Sequence, residues 1–254
     1  MRHRPSRRTI RIVTDTPPPL EALPEDWQRA LVVVAHPDDI EYGAAAAIAR
    51  WTGQGKEIAY CLVTSGEAGI DSLTPDRAGP LREEEERRAA AIVGVSVVEF
   101  LGHPDGTVEY GLPLRRDIAN AIRRHRPEVV ITGNFRETFG GVMLNQADHI
   151  ATGRAVLDAA RDAGNRWIFP GDLEPWGGVR AVWAAASPEG RHGVDTTETF
   201  ELGIASLRAH QTYLAGLRDH PDPTEFLAAF ARAGGERLRC EYAATFEVYP
   251  LMLF

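Results

Sequence analysis

Three side chains able to bind a metal ion or transfer a proton lie within four residues of one another near the start of the chain. His36, Asp38 and Asp39 follow the apolar run LVVVA and precede an alanine-rich segment. His and Asp are common ligands of catalytic zinc. Because only two residues separate His36 from Asp39, a tight turn could direct both at one ion and leave Asp38 free to act as a base. A plain strand-to-helix turn, with Asp39 as the helix cap, would explain the same residues.

The surrounding apolar pattern predicts the elements that position these side chains. It indicates a buried strand over residues 31–35 and a helix over residues 41–51. Further elements follow in the order strand 57–64, helix 82–93, strand 97–101, helix 114–124, strand 128–132, helix 148–163, strand 179–186, helix 198–217 and strand 242–249. The alternation is typical of an α/β, Rossmann-like doubly wound, mostly parallel sheet with helices on both faces. Ligands of such sheets bind at the carboxyl ends of strands. The charged run EEEERR indicates a solvated helix face.

Length, charge and apolar patterning limit the class of protein. We place a single domain at residues 30–254, after a proline-containing lead-in of residues 1–29. The formal net charge of -8 argues against nonspecific binding to nucleic acid or to an anionic membrane. The chain has no apolar run of about 18 residues and no apolar segment of a secretory signal at its basic N-terminus. We therefore expect a cytoplasmic protein without a nucleic-acid or membrane partner.

A third metal ligand must come from a distant part of the chain. Among the remaining histidines, His149 is the best placed, because it follows a glycine-rich loop after a predicted strand and begins a helix. His125 lies among arginines at a helix end, and His210 lies in a late helix. A histidine in a first helical turn can equally be a surface or capping residue, so the residues alone leave the third ligand open.

The segment AHPDDIE resembles the Ala-His-Pro-Asp-Asp-x-Glu signature of the PIG-L/LmbE family of zinc-dependent N-acetylglucosamine deacetylases. Weaker similarity extends over about residues 30–215. The resemblance implies His36 and Asp39 as ligands of Zn²⁺ or another divalent metal, and Asp38 as the general base. The family's third ligand ends a His-x-Asp-His motif, which implies His149. Gln146 stands where the family has the first His of that motif.

The resemblance also implies a reaction and a partner. Metal-activated water would remove acetyl from a small-molecule, GlcNAc-type amino-sugar conjugate. Gln146 can donate a hydrogen bond to an oxyanion, but it cannot act as an acid at neutral pH. Either Asp38 carries both proton transfers, or His192, in a segment similar to the family's C-terminal region, replaces the missing imidazole. Three substrate-binding residues are implied by weaker motif matches: Glu67, Arg82 and Asp105.

Three other interpretations remain open. A mycothiol-conjugate-type amidase would cleave an amide with a larger acyl group on the same scaffold. A catalytically impaired, sugar-binding family member would fit the presence of Gln146. A nucleotide-binding module of the Rossmann type is disfavoured, because HPDD stands where a G-x-G-x-x-G sequence would follow the first strand. A homo-oligomer is compatible with each of them. Metal analysis separates the nucleotide-binding interpretation from the others, and a deacetylase assay separates the enzyme from the impaired member.

Overall fold

A central eight-stranded sheet organises the molecule. The computed structural model describes residues 17–171, 173–217 and 222–251. The strands are β1 (Glu21–Ala22), β2 (Arg29–Val34), β3 (Glu57–Leu62), β4 (Val97–Phe100), β5 (Val129–Thr132), β6 (Thr138–Phe139), β7 (Met143–Leu144), β8 (Ala181–Ala185), β9 (His192–Asp195) and β10 (Ala243–Pro250). The helices are α1 (Ala45–Gly53), α2 (Pro75–Ile92), α3 (Leu112–His125), α4 (Ala147–Asp162), α5 (Phe200–Arg208), α6 (Gln211–Gly216) and α7 (Pro223–Leu238).

The strand order is β1-β9-β10-β8-β5-β2-β3-β4, and β6 and β7 form a separate hairpin. The strand pairs of the large sheet are parallel except for the two that β10 makes, with β8 and with β9. Helices cover both faces, because alternate residues of β2 enter two different cores: Val32 and Val34 pack with α1, and Leu31 and Val33 pack with α3 and α4. The predicted mostly parallel α/β fold is confirmed.

The strand order reverses direction at β2, which lies between β5 and β3. The chain runs from β2 outward through β3 and β4, and then returns to place β5 on the other side of β2. Such a reversal opens a crevice at the carboxyl ends of the central strands, where doubly wound proteins bind ligands. The loops after β2, β3, β4 and β5 meet at this edge, and they carry most of the residues that the sequence singled out.

The described part of the lead-in, residues 17–29, is built into the domain. β1 pairs with β9, and the Trp27 ring packs edge-on against Trp51 with 5.3 Å between the ring centroids. Glu25 accepts hydrogen bonds from Arg50 and Trp51. The apolar side chains before residue 30 therefore pack against the core, and the division of the chain at residue 30 stays a prediction. The expected lead-in also includes residues 1–16, which lie outside the described residues.

Two helices differ most from their predicted bounds. α2 begins at Pro75 rather than at residue 82. Proline is well accepted at the first position of a helix, because the backbone amide hydrogen that it lacks would have no hydrogen-bond partner there. The helix predicted over residues 198–217 is divided into α5 and α6 at His210, whose side chain is fully buried. Within the part of the chain that the structure describes, none of the helices combines the length and the hydropathy that a membrane span requires.

Candidate metal centre

The turn after β2 presents the HPDD residues at the carboxyl edge of the sheet. The Asp39 carboxylate accepts a hydrogen bond from the backbone amide of His36 at 2.9 Å. α1 begins only at Ala45, and its N-cap residue Ala44 makes no side-chain capping bond. Asp39 is therefore not a helix cap. Its second carboxylate oxygen lies 3.0 Å from Nε2 of His149, at the start of α4.

The three expected metal ligands converge, although 113 residues separate the two histidines. Nδ1 of His36 lies 3.1 Å from Nε2 of His149 and 3.6 Å from Asp39 Oδ2. All three side chains are buried or half-buried. The parallel sheet causes this convergence, because it places the turn after β2 beside the loop between β5 and α4.

Two carboxylates fix the orientation of the His36 ring by contacting Nε2, the ring nitrogen that points away from His149. Nε2 lies 3.0 Å from Asp105 Oδ1 and 3.1 Å from Asp148 Oδ2. Asp148 also accepts the backbone amides of Gly106 and Val108, so an ionised carboxylate suits its position. Carboxylates only accept hydrogen bonds. Nε2 of His36 must therefore carry a hydrogen, so that in the neutral imidazole Nδ1 is the nitrogen with a lone pair for the cluster.

Asn145 fixes the orientation of His149 in the same way. Its Nδ2 donates to the carbonyls of Asn134 and Arg136, at 2.8 Å each. These two bonds identify the other amide atom as the oxygen, which lies 2.9 Å from Nδ1 of His149. Nδ1 of His149 is therefore the donor, and Nε2 presents its lone pair to Asp39 and His36. No motif in the sequence indicates Asn145, which follows β7 directly.

The donor set fits a divalent cation. Two imidazole lone pairs that face each other at 3.1 Å repel unless a positive charge lies between them. Burial disfavours protonation of His36, yet the carboxylates of Asp39, Asp105 and Asp148 raise its pKa to about 12. The same carboxylate charge that attracts a proton would attract a metal ion. Two imidazoles with one carboxylate, each imidazole oriented by an outer hydrogen bond, are typical of catalytic zinc sites.

Asp38 lies beside this donor set but is held by other partners. Its Oδ1 is 2.6 Å from Nη2 of Arg82, which also bonds the carbonyl of Pro37. The Tyr213 ring stacks on the Arg82 guanidinium at 4.1 Å. Burial raises the pKa of Asp38, and the Arg82 charge opposes that rise. A carboxylate with a raised pKa next to a metal site is suited to accept a proton.

The structure places the predicted substrate-binding residues at the same edge, but in different surroundings. Arg82 is 2% exposed, and its guanidinium is occupied by the contacts with residues 37, 38 and 66. Asp105 orients His36 and accepts the amide of Ala68. Glu67 accepts the amide of Asp105, and its other carboxylate oxygen has no partner among the described residues. Glu67 therefore keeps one buried oxygen without a partner, whereas Arg82 and Asp105 contact the turn and its histidine.

Gln146, which stands in place of the family histidine, and His192, the candidate to replace it, lie in different places. Gln146 is the exposed N-cap residue of α4, three residues before His149. His192 begins β9, which β10, β8 and β5 separate from β2. With strands about 4.8 Å apart, His192 is roughly 19 Å from the turn after β2. Its nearest charged partner is Glu21, at 3.6 Å. In the described structure His192 thus lies apart from the expected metal ligands, which favours the alternative that Asp38 carries both proton transfers.

Comparison with known proteins agrees with this geometry. The model of the PIG-L family, described as GlcNAc-PI de-N-acetylase, matches residues 31–160. The diacetylchitobiose deacetylase of Thermococcus kodakarensis is 27% identical over 193 residues, which cover 74% of this chain and 70% of the relative. A 1D-myo-inositol 2-acetamido-2-deoxy-alpha-D-glucopyranoside deacetylase of Kineococcus radiotolerans is 32% identical over 199 residues, covering 64% of this chain and 53% of the relative. The chain thus spans about half the length of the latter protein.

Solved structures share the fold. The N,N'-diacetylchitobiose deacetylase from Pyrococcus horikoshii has a TM-score of 0.80 at 22% identity, covering 89% of this chain and 85% of its own. The 4-carboxy-2-hydroxymuconate hydratase from Pseudomonas putida has a TM-score of 0.71 at 21% identity, with 89% and 98% covered. The fold alone therefore does not fix the reaction. The family match includes the AHPDDIE turn and His149 and extends over just over half of the sequence, so the chain belongs to the PIG-L family.

Proposed function

We propose that this protein is a zinc-dependent deacetylase that hydrolyses the acetamide of an N-acetylated, GlcNAc-type amino-sugar conjugate. The observation that most directly supports this proposal is that the imidazoles of His36 and His149 and the carboxylate of Asp39 converge beside Asp38, at the crevice of the sheet. The named activities of the relatives from Thermococcus kodakarensis and Kineococcus radiotolerans support the amino-sugar class. His36, Asp39 and His149 would hold the metal.

The residues of the chain have separate roles in this proposal. A bound zinc ion would supply Lewis acidity, which polarises a carbonyl oxygen and makes water more acidic. Asp38 accepts the proton of the attacking water, because burial raises the pKa of its carboxyl group. With His192 on a distant strand, Asp38 also returns that proton to the departing amine. Gln146, at the exposed start of α4, donates a hydrogen bond to the developing oxyanion.

Release of acetate from GlcNAc conjugates by the zinc-loaded protein tests the proposal. Asp38→Asn should retain the metal and lose roughly a hundred- to ten-thousand-fold in kcat, as expected for a general acid-base group. Asp26→Asn removes a carboxylate from an exposed ion pair with Arg180 and should leave kcat unchanged. An unchanged kcat in Asp38→Asn would remove Asp38 from the mechanism.

The same assay separates the other interpretations. A mycothiol-conjugate-type amidase would prefer substrates with a larger acyl group, and an impaired member would bind sugar without releasing acetate. Metal content that stays stoichiometric in His36→Ala would contradict the assigned ligands. A hydratase related to the Pseudomonas putida neighbour would add water to a carbon–carbon double bond and release no acetate.

A further inference from the structure

A second group of buried titratable side chains lies behind the HPDD turn. We call Glu41, Glu86 and His210 the inner polar cluster. Each is at most 3% exposed, and ligand atoms of all three lie within 4.8 Å of one another. They come from the turn after β2, from α2, and from the junction of α5 and α6. The proposed reaction does not use them directly.

The cluster is incompletely hydrogen-bonded. Nε2 of His210 lies 3.6 Å from one carboxylate oxygen of Glu41 and 3.6 Å from one of Glu86, which is beyond the usual hydrogen-bond distance. Both His210 nitrogens, Glu41 Oε2 and Glu86 Oε1 have no partner among the described residues. Buried polar groups in this state destabilise a fold relative to apolar side chains of similar volume. Their presence therefore points to a role other than stability.

The cluster holds the backbone of Asp38 on both sides. Glu86 Oε2 accepts the Asp38 amide at 3.3 Å, and the Asp38 carbonyl accepts the Glu41 amide at 3.0 Å. Asp38 has a φ of 100°, in the region that disfavours residues with a side chain. Such a conformation persists only where the surroundings determine it, and it often occurs at functional sites. Glu86 supplies the side-chain acceptor that the amide needs in this unusual orientation.

We propose that Glu86 is a positioning residue for Asp38. With Glu41 and His210 packed behind it, Glu86 fixes the backbone of the turn so that the Asp38 carboxylate faces the reacting centre. Arg82 holds the same residue by its carboxylate, so Asp38 is restrained at both ends. The inference rests on the proposed role of Asp38 as the base. Because the cluster lies behind the turn, substrate affinity and metal ligation should not depend on it.

Two substitutions of Glu86 separate positioning from general stability. Glu86→Leu removes the acceptor for the Asp38 amide, whereas Glu86→Gln keeps an oxygen acceptor of the same reach. Burial raises the pKa of Glu86 well above its usual range, so a neutral amide also matches the charge of the group it replaces. Tyr60→Phe is the matched control, since it changes an equally buried side chain whose hydroxyl has no hydrogen-bond partner among the described residues.

The readouts are kcat and KM for acetate release, bound zinc per chain, and the melting temperature. We expect Glu86→Leu to lower kcat by roughly ten- to a hundredfold, the scale of a small misplacement of a catalytic group. KM and one equivalent of zinc should be unchanged, and Glu86→Gln should recover most of the loss. If Glu86→Leu does not fold, Glu86→Met keeps the side-chain length without an acceptor, and the same comparison applies.

Several results would overturn the inference. They are a wild-type kcat in Glu86→Leu, a loss in Glu86→Gln equal to that in Glu86→Leu, and an equal loss in Tyr60→Phe. A second equivalent of zinc that disappears with Glu86→Leu would make the cluster a metal site instead. Asp38→Asn, measured alongside, keeps the two proposals distinct. No acetate release by the wild-type protein refutes the proposed function, and full activity in Asp38→Asn refutes the role of Asp38 as the base. Loss of activity in Asp38→Asn together with a wild-type kcat in Glu86→Leu refutes the positioning role alone.

Discussion

Replacing Asn145 with Ala should weaken metal binding without removing a ligand. The amide oxygen of Asn145 accepts the Nδ1 hydrogen of His149 at 2.9 Å and thereby turns Nε2 toward the cluster. Partners that orient a metal-binding histidine are typically worth about ten- to a hundredfold in metal affinity. This range corresponds to about 1.4–2.8 kcal/mol of binding free energy, at about 1.4 kcal/mol for each factor of ten.

The same substitution should lower the stability of the metal-free protein for a different reason. The Asn145 side-chain amide also donates to the carbonyls of Asn134 and Arg136. A buried polar group left without its partner costs roughly 1–3 kcal/mol. Because two carbonyls lose their donor, we expect a total loss of about 2–6 kcal/mol in the free energy of unfolding.

Asn145→Asp separates the two effects. A carboxylate still accepts from Nδ1 of His149 but donates nothing to the two carbonyls, so zinc affinity should stay near that of the wild type while stability falls. Asn165→Ala, which removes an exposed asparagine bonded to the Trp167 amide, is the control. Competition with a chelating dye gives the zinc affinity, and urea unfolding in EDTA gives the stability. A wild-type affinity in Asn145→Ala, or equal weakening in both variants, would refute the assigned orientation of His149.

Three further predictions follow from the described contacts. The single ammonium group of Arg82→Lys cannot reach all the acceptors of the Arg82 guanidinium, at residues 37, 38 and 66. The kcat for acetate release should therefore fall roughly ten- to a hundredfold, while the zinc content, measured by mass spectrometry, stays constant. An unchanged kcat would mean that Arg82 does not restrain Asp38. Burial tends to raise the pKa of Glu247, but hydrogen bonds from an arginine, a serine and a tyrosine give a net lowering of that pKa. The ionised carboxylate therefore stabilises the fold at pH values above the unfolded pKa of about 4.3. This stabilisation is lost as the pH falls through the lower pKa of the folded state. Glu247→Gln should thus reduce the free energy of unfolding at pH 7 by about 1–2 kcal/mol, with a difference that shrinks in urea titrations at more acidic pH, and a pH-independent difference would contradict this. A methyl group at Gly153 would overlap the side chain of Phe135, in the loop after β5, whereas one at Gly53 meets nothing within 4 Å. Gly153→Ala should therefore destabilise the protein by about 1–3 kcal/mol, and Gly53→Ala should not. Equal melting temperatures of the two variants would show that the loop moves aside without cost.

The local pattern of apolar and polar residues was sufficient to predict the central part of the fold. The apolar runs of β2, β3 and β5 are short and buried, that of β4 is short and partly exposed, and a helical segment follows each one, so periodicity alone indicates the alternation. The placement of His36 and His149 after strands also follows from local sequence. The parallel order that brings them together depends on pairing between distant strands, which only the fold class suggests.

Other features depend on contacts that local pattern does not encode. The charged run in α2 predicts a solvated face, yet Glu85 and Glu86 are at most 1% exposed because α5 and α6 pack over this side of the helix. His192 lies in a segment similar to a family region, but sequence similarity does not reveal how many strands lie between β9 and β2. Asn145 gains its role only from carbonyls that the loop after β5 presents to it.

The wide separation of the metal ligands along the chain has a consequence for how the protein acquires its ion. A metal bound by His36, Asp39 and His149 is a removable cross-link that closes a loop of more than a hundred residues, as the 113-residue interval between the histidines shows. In the unfolded chain His149 is far from His36 and Asp39, so such an ion would bind mainly to the folded state. It then stabilises that state by about 4 kcal/mol at a free concentration a thousandfold above its Kd. The proposed site would therefore select its metal after folding, with ligand directions that Asp148 and Asn145 have already set. Chelation should lower the melting temperature while leaving the native secondary structure intact.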